Sequence, residues 1–315
     1  MAAIACLASA AALGADGYPT HLIKVINPWP PGGPGDLLVR PMLEKLSQRL
    51  GQTAIMENRP GANGTIGAAT VAAAAPDGYT LLLAHVGPTV ISQAMKQKPS
   101  YDSEKDFAPI TQAVSGPLVL VVRPDLPIHS VAELVSYAKA HPGKLSYGSV
   151  GIGSTAHLAG EMLKVGTGID MLHVPFKGST PALTEMLGGR IDLGFVNIAA
   201  GIAMIHDGRL RAVAVTTKTR SSLLPDLPPV SDTVPDFEVN SWYAIMAPAG
   251  TPPAVIDLLS REMRAIYTET DVATLLRTNG LEPLGSSPAE LAQRIHDDLR
   301  YWDKVAKETG VTGEE

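Results

Sequence analysis

Apolar positions along this chain fall into short continuous runs that alternate with longer runs at helical spacing. The short runs, at residues 22–29, 53–57, 80–85, 118–123, 145–150, 171–176, 191–197 and 210–216, predict strands, several of them bounded by Gly or Pro. The longer runs, at 37–50, 64–75, 131–141, 155–165 and 181–187, predict helices. Ser130 and Glu133 form a capping-box pattern at the start of one of these, and Pro142-Gly143 closes it. Residues 252–310 read as helical with one polar face, with Pro283 and Pro288 flanking a break. Alternation of this kind predicts an α/β fold with mainly parallel sheets.

Two irregular stretches punctuate the pattern. Residues 99–111 lack periodicity, and alternation begins afresh near Gly116-Pro117; residues 224–235 are rich in proline, after which 242–247 resumes as a strand. The expected organisation is a discontinuous first lobe, 16–114 plus 238–315, with a second lobe, 115–237, inserted into it. Two consecutive domains are the competing arrangement. Two α/β lobes joined by two strands would leave a cleft where several helix N-termini converge.

Composition narrows the possible partners. A hydrophobic content of 45% and a charged content of 18% describe a globular chain. A net charge of −6 with scattered basic residues offers no footprint for nucleic acid and no polybasic membrane patch. Residues 1–15 are apolar and alanine-rich, like the core and small-residue end of a secretory signal peptide, though they lack its positive start; a flexible or helical extension is the other reading. The only cysteine, Cys6, lies in this segment, so a mature chain would carry no disulfide and no thiolate metal site, as suits a bacterial periplasm.

Candidate chemistry sits in four strand-to-helix loops. Residues 27–36, N-P-W-P-P-G-G-P-G-D, join a predicted strand to a predicted helix. Prolines stiffen the loop, Gly32, Gly33 and Gly35 leave backbone N–H groups uncovered, and Asp36 is placed to cap the helix. Such a loop either holds an anion at the helix N-terminus or is a tight turn that binds nothing. Gly148–His157, G-S-V-G-I-G-S-T-A-H, contains Gly151-x-Gly153-x-x-Ala156, which matches a dinucleotide fingerprint; Asp170, however, precedes the next strand where a ribose-binding acid should follow it. The stretch fits better as a small anion site using Ser154, Thr155 and nearby amides. In P-F-K-G-S-T-P, Lys177 either neutralises an anion beside Gly178 or is solvated, and Ser179 or Thr180 either meets a ligand or caps the helix. In R-P-G-A-N-G-T-I-G, Asn63 caps the following helix or reaches a ligand.

Further positions lie at predicted strand ends. His85, beside Val86 and Gly87, either meets a carboxylate or is a satisfied core histidine. Trp29 forms an apolar wall or core, Asp192 is a structural bridge or a ligand contact, and Asn197 closes its strand. The eight histidines show no metal spacing, and no P-loop or nucleophile elbow is present, so neither a cofactor nor a metal is expected.

Taken in order, P-W-P-P-G-G-P-G-D, E-N-R-P-G-A-N-G-T-I-G, P-D-G-Y-T-L-L, Y-D-S-E-K-D-F-A-P-I, G-S-T-A-H-L, V-P-F-K-G-S-T-P-A-L and G-G-R-I-D-L-G-F resemble the Bug-type family, the extracytoplasmic receptors of tripartite tricarboxylate transporters. The match runs from about residue 19 to 310. The resemblance implies a type II periplasmic-binding-protein-like fold, two lobes joined by a two-segment hinge, closing on a small carboxylate or dicarboxylate without catalysis. It implies a monomeric periplasmic receptor whose partner is a two-component integral membrane permease. It selects Trp29, Pro31, Gly32, Gly33 and Gly35 on one side of the cleft, and Gly153, Ser154, Thr155, Lys177, Gly178 and Ser179 on the other. Asn63, His85, Val86, Gly87, Asp192 and Asn197 become additional wall positions. The chain departs from the family's usual residues at Trp29, His85 and Ser103; the indole and imidazole suit an aromatic or longer dicarboxylate. Against the receptor stand a Rossmann-type enzyme using Gly151 to Ala156 and a ligand sensor with the same fold.

Overall fold

A computed structural model describes residues 17–95, 99–221 and 224–312. The expected signal segment and Cys6 lie outside the described residues. The first half of the sheet is built by β1 (Ile23–Asn27), β2 (Ala54–Asn58) and β3 (Thr80–His85), all parallel, with β1 between the other two. The second half holds β5 (Leu145–Ser149), β6 (Met171–Pro175) and β7 (Leu193–Asn197), again parallel, with β5 central. These segments form strands because they are short, bounded by turn residues and buried on one or both faces.

Two long strands tie the halves together. β4 (Phe107–Val122) pairs antiparallel with β9 (Asn240–Pro248) along its first part, and with β7 and β8 (Arg211–Val215) along its second. β9 in turn pairs with β3. The stretch around Gly116-Pro117 is therefore no break: Gly116 stands opposite Ser241 and Pro117 opposite Asn240 inside a continuous strand. Sequence periodicity misses this because β4 changes partners at that point, so its buried face does not follow one alternation.

Helices cover both faces. α1 (Pro34–Leu50), α2 (Thr65–Ala72) and a π-helical segment (Gly87–Ile91) running into α3 (Ser92–Ala94) follow β1, β2 and β3. α4 (Val131–Ala140), α5 (Thr155–Thr167), α6 (Ser179–Leu187) and α7 (Ile198–His206) belong to the second half. α7 has no amphipathic stripe (I-A-A-G-I-A-M-I-H), which is why periodicity does not mark it as a helix. After β9 come α8 (Pro253–Thr268), α9 (Thr270–Thr278), the short β10 (Glu282–Pro283) against β4, and α10 (Pro288–Thr309). A Ser287–Glu290 capping box starts α10, which lies across β4, α5 and the π segment and so touches both halves. Its Asp298 accepts from Trp242 Nε1 of β9 at 2.7 Å and pairs with Arg294 at 2.9 Å.

Strand carboxyl ends meet in one cleft. Asn27, His85, Ser149, Pro175 and Asn197 each end a strand there, and a loop then leads to a helical segment, the position at which open α/β sheets bind ligands. α2 supports this edge from behind: a Cβ on Gly67 would lie 2.8 Å from Pro28 Cβ and 2.9 Å from the Arg59 carbonyl. We therefore expect Gly67→Ala to cost about 1–3 kcal/mol of unfolding free energy through overpacking, measured by urea titration. An unchanged midpoint would show that α2 can shift freely.

Candidate functional site

The site is built from residues that hold the β1–α1 loop rigid. Asn27, only 1% exposed, accepts from the Trp29 amide at 3.2 Å, and Asn58 Nδ2 donates to the Trp29 carbonyl at 2.9 Å. Gly35 must be glycine, because a Cβ there would stand 3.0 Å from Asn27 Nδ2 and Leu83 Cδ2. The N-cap of α1 is Gly33, with Pro34 at the first helical position, where its missing N–H costs nothing. Asp36 is thus not the cap. It sits in the first turn, accepts from the Gly32 amide at 3.0 Å and pairs with Arg40 at 2.8 Å. One amide of this supposedly bare loop is therefore already occupied by the chain's own carboxylate.

Two contiguous spaces lie between the halves. The inner one is a chamber of about 70 Å³, several times the roughly 10–15 Å³ one ordered water needs. The outer one is an open cleft of about 810 Å³. Trp29, Pro30 and Val150 line both. The halves meet here: a Cβ on Gly178 would lie 3.5 Å from Pro30 Cδ, and one on Gly151 3.8 Å from Asn63 Cβ.

Of the residues singled out from sequence, the structure brings Trp29, Gly33, Gly35, His85, Gly178, Ser179 and Asn197 to the chamber wall. Asn63 and Lys177 line the outer cleft. Pro31 and Gly32 are exposed, with Gly32 on a side groove beside Ser179. Val86 and Gly87 are buried beneath His85, where the Gly87 amide donates to His85 Nδ1 at 3.2 Å.

The Gly153–Thr155 stretch is turned inward, contrary to the expectation that its amides face a ligand. Gly153 N–H donates to His157 Nδ1, Ser154 N–H to the Gly151 carbonyl, and Gly151 N–H to Ser149 Oγ, while Ser154 Oγ caps α5 by accepting from His157 N–H. Thr155 is buried. Asp192 lies at the opposite end of β7, bound to Ser146 N at 2.8 Å and paired with Arg123 at 3.1 Å, a bridge that ties strand starts together. Asn63 and Ser179 make no capping hydrogen bond; the caps of α2 and α6 are Gly64 and Gly178.

Sequence reasoning missed several wall residues. Ser149 lies within the strand expected at 145–150 and inside the glycine-rich stretch 148–157, and the structure ends β5 there. Ser241 and Tyr243 on β9, Leu118 on β4 and Phe195 on β7 reach the chamber through tertiary pairing alone. Ser103, where the family's usual residue is proline, is buried away from the chamber; its hydroxyl donates to the Thr89 carbonyl and accepts from Gln93 at 2.6 Å.

The electrostatics of the chamber are unusual for an anion site: no Lys, Arg, Asp or Glu lines it among the described residues. His85 packs edge-on to Trp29, with ring centroids 5.7 Å apart, and against Tyr243 at 4.7 Å. Burial lowers its pKa to about 3, so the imidazole is neutral. Because Nδ1 accepts from Gly87 N–H, the proton resides on Nε2, which donates to Ser241 Oγ at 2.8 Å. Several buried donors have no partner in the protein: Trp29 Nε1, Asn27 Nδ2, Asn197 Nδ2 and Asn63 Nδ2. Asn197 Oδ1 is occupied, accepting from the Ala199 amide at 3.0 Å at the start of α7.

A second histidine group lies behind the β5–α5 loop. His157 and His173 stack 4.0 Å apart, and His173 Nε2 meets Ser149 Oγ at 2.7 Å. Burial lowers their pKa values to about 4 and about 3, with Lys164 adding to the effect at both and His157 adding at His173.

Fold and site together define a solute-binding protein of the periplasmic-binding-protein-like class, with a ligand chamber between two halves of an α/β molecule. The chain belongs to the family described as "Tripartite tricarboxylate transporter family receptor", whose profile matches residues 38–311. It is 35% identical to Protein BugT of Bordetella pertussis over 310 residues, 98% of this chain and 95% of that one. Among solved structures, R. palustris Rpa4515 with adipate is 35% identical with a TM-score of 0.90, covering 94% of this chain and 99% of that one. MatC (Rpa3494) from Rhodopseudomonas palustris with bound malate is 30% identical with a TM-score of 0.86, covering 91% and 99%.

His85, His157 and His173 generate a pH prediction. Each has a folded pKa below its unfolded value near 6.5, so the unfolded chain gains protons first as pH falls. Their contribution is complete above about pH 6.5 and is lost progressively toward about pH 4 and below. We expect unfolding free energy to decline over that window, and His173→Gln, which retains a partner for Ser149, to flatten the decline. Denaturant titrations at a series of pH values check this; an identical slope in the variant would contradict it.

Proposed function

We propose that this chain is an extracytoplasmic receptor that binds a small carboxylate and presents it to a two-component integral membrane permease. The lobes would comprise residues 16–114 plus 238–315 and residues 115–237, closing on the ligand about β4 and β9. The observation that carries the reading is the chamber at their junction. Trp29 and Asn197, each with a buried and unpartnered N–H donor, line it together with the N-termini of α1 and α6, and no acidic side chain lines it among the described residues. Helix N-termini and oriented N–H donors favour an anion without a fixed counter-charge. Relatives with adipate and with malate support the carboxylate as the ligand class. The periplasm is the compartment in which a receptor of this family would work. Nucleotide-dependent catalysis on residues 151–156 is disfavoured, because the loop amides that would hold a phosphate are spent on Ser149, Gly151 and His157.

Titration calorimetry and thermal melts against a panel of carboxylates test the proposal. A bound acid should be recovered unchanged and should stabilise by about 2.7 kcal/mol at a hundredfold excess over its dissociation constant. If no carboxylate moves the melting temperature, the receptor reading fails. Gly33 gives the sharper test, because its φ of −92° suits any residue and a Cβ there meets nothing nearer than the Pro30 carbonyl at 3.8 Å. Gly33→Val should fold normally yet weaken binding by about a hundredfold or more by filling the chamber mouth. Undiminished binding in that variant would mean the loop is only a turn.

A further inference from the structure

Resting on the receptor reading, we propose that the preferred ligand is a monocarboxylate with an apolar body and a neutral hydrogen-bond acceptor at its far end. The carboxylate would lie at the start of α6 and the acceptor on the floor of the chamber. Three observations define this orientation.

The first is where positive charge is found. Lys177 is the one cationic side chain lining either space among the described residues, and it stands in the outer cleft, directly before Gly178 and Ser179. It is exposed and forms no ion pair among those described. A carboxylate is therefore best neutralised at the α6 start, where chamber and outer cleft join.

The second is the character of the walls leading inward. Trp29, Leu118, Leu183, Met186, Phe195 and Tyr243 line the chamber. These surfaces, apolar apart from the indole N–H of Trp29 and the Tyr243 hydroxyl, reward an apolar or ring-shaped body.

The third is the floor, where β4 and β9 cross. Asn197 stands opposite Leu118 and Ser241 opposite Gly116, and a Cβ on Gly116 would lie 3.8 Å from Asn197 Nδ2. His85 donates from Nε2 to Ser241, so the serine's own hydroxyl hydrogen is left for another acceptor. Asn197 has its carbonyl occupied and its amide nitrogen free. The floor thus supplies donors and no charge. A second carboxylate placed there would be desolvated without a counter-ion, which costs far more than a neutral hydroxyl, carbonyl or ether that needs only the hydrogen bonds.

Calorimetry on the full chain with 4-hydroxybenzoate, benzoate, adipate and malate tests this. We expect 4-hydroxybenzoate to bind about tenfold or more tighter than benzoate, and at least about tenfold tighter than either dicarboxylate. In Ser241→Ala the preference for 4-hydroxybenzoate over benzoate should fall to within about threefold. Tighter binding of adipate or malate than of both monocarboxylates would overturn the inference and leave the receptor reading intact. An unchanged preference in Ser241→Ala would also overturn it. Failure of all four acids and of a wider carboxylate panel to bind would remove the receptor reading itself.

Discussion

Backbone pairing between β4 and β9 governs how the two halves of this molecule are arranged, because each strand is bonded on both sides. Phe107 to Pro117 pair with Pro248 to Asn240, β9 goes on to bond β3, and β4 beyond Leu118 turns to β7 and β8. Buried backbone groups left unpaired are costly, so neither crossing strand can be released without dismantling a sheet. Register shifts near Pro109 and Gln112 let β4 bend between its two sets of partners. The polar floor residue Ser241 belongs to β9 itself, and Asn197 of β7 stands opposite Leu118 of β4, so both lie beside this crossing.

Around that crossing the chain satisfies its own groups selectively. Asp36 takes the Gly32 amide, Ser149 and His157 take amides of the β5–α5 loop, and Asp192 binds Ser146 and Arg123 at the far end of the sheet. Some of what is left over lies in the cleft: the indole N–H of Trp29 and the side-chain amides of Asn63 and Asn197. Asn63 is held there by a strained backbone, with φ of 50° following φ of 45° at Ala62. Non-glycine residues persist in that region only when the surrounding structure imposes it.

Much of this architecture is legible in the chain. The strands at 23–27, 80–85 and 145–149 and their glycine- and proline-rich exits follow from apolar run length and turn chemistry. Loop residues Trp29, Gly33, Gly35, Gly178 and Ser179 could be read as wall positions because strand-to-helix turns carry them to one edge. The rest was hidden for identifiable reasons. Ser241 reaches the site through antiparallel pairing with Gly116, and Leu118 through pairing with Asn197, contacts distant in sequence that no local pattern encodes. The inward turn of residues 151–155 depends on the ring nitrogen of His157, one helical turn further on. α7 escaped because a helix apolar all round has no stripe to detect.

The neutrality of the chamber bears on how capture responds to the surrounding medium. Mobile ions screen charges that face solvent, over a distance of about 8–10 Å at ordinary ionic strength, and they have little purchase on enclosed dipoles and uncharged donors. The helix starts would hold a carboxylate, and Asn197 and Ser241 the neutral far end of the ligand, about as firmly in brine as in dilute buffer. Lys177 is different, since it is exposed at the mouth and its pull on an approaching anion is open to counter-ions. Salt would then slow the arrival of a ligand and weaken the hold of Lys177 on its carboxylate, while leaving the uncharged contacts deeper in the chamber unchanged.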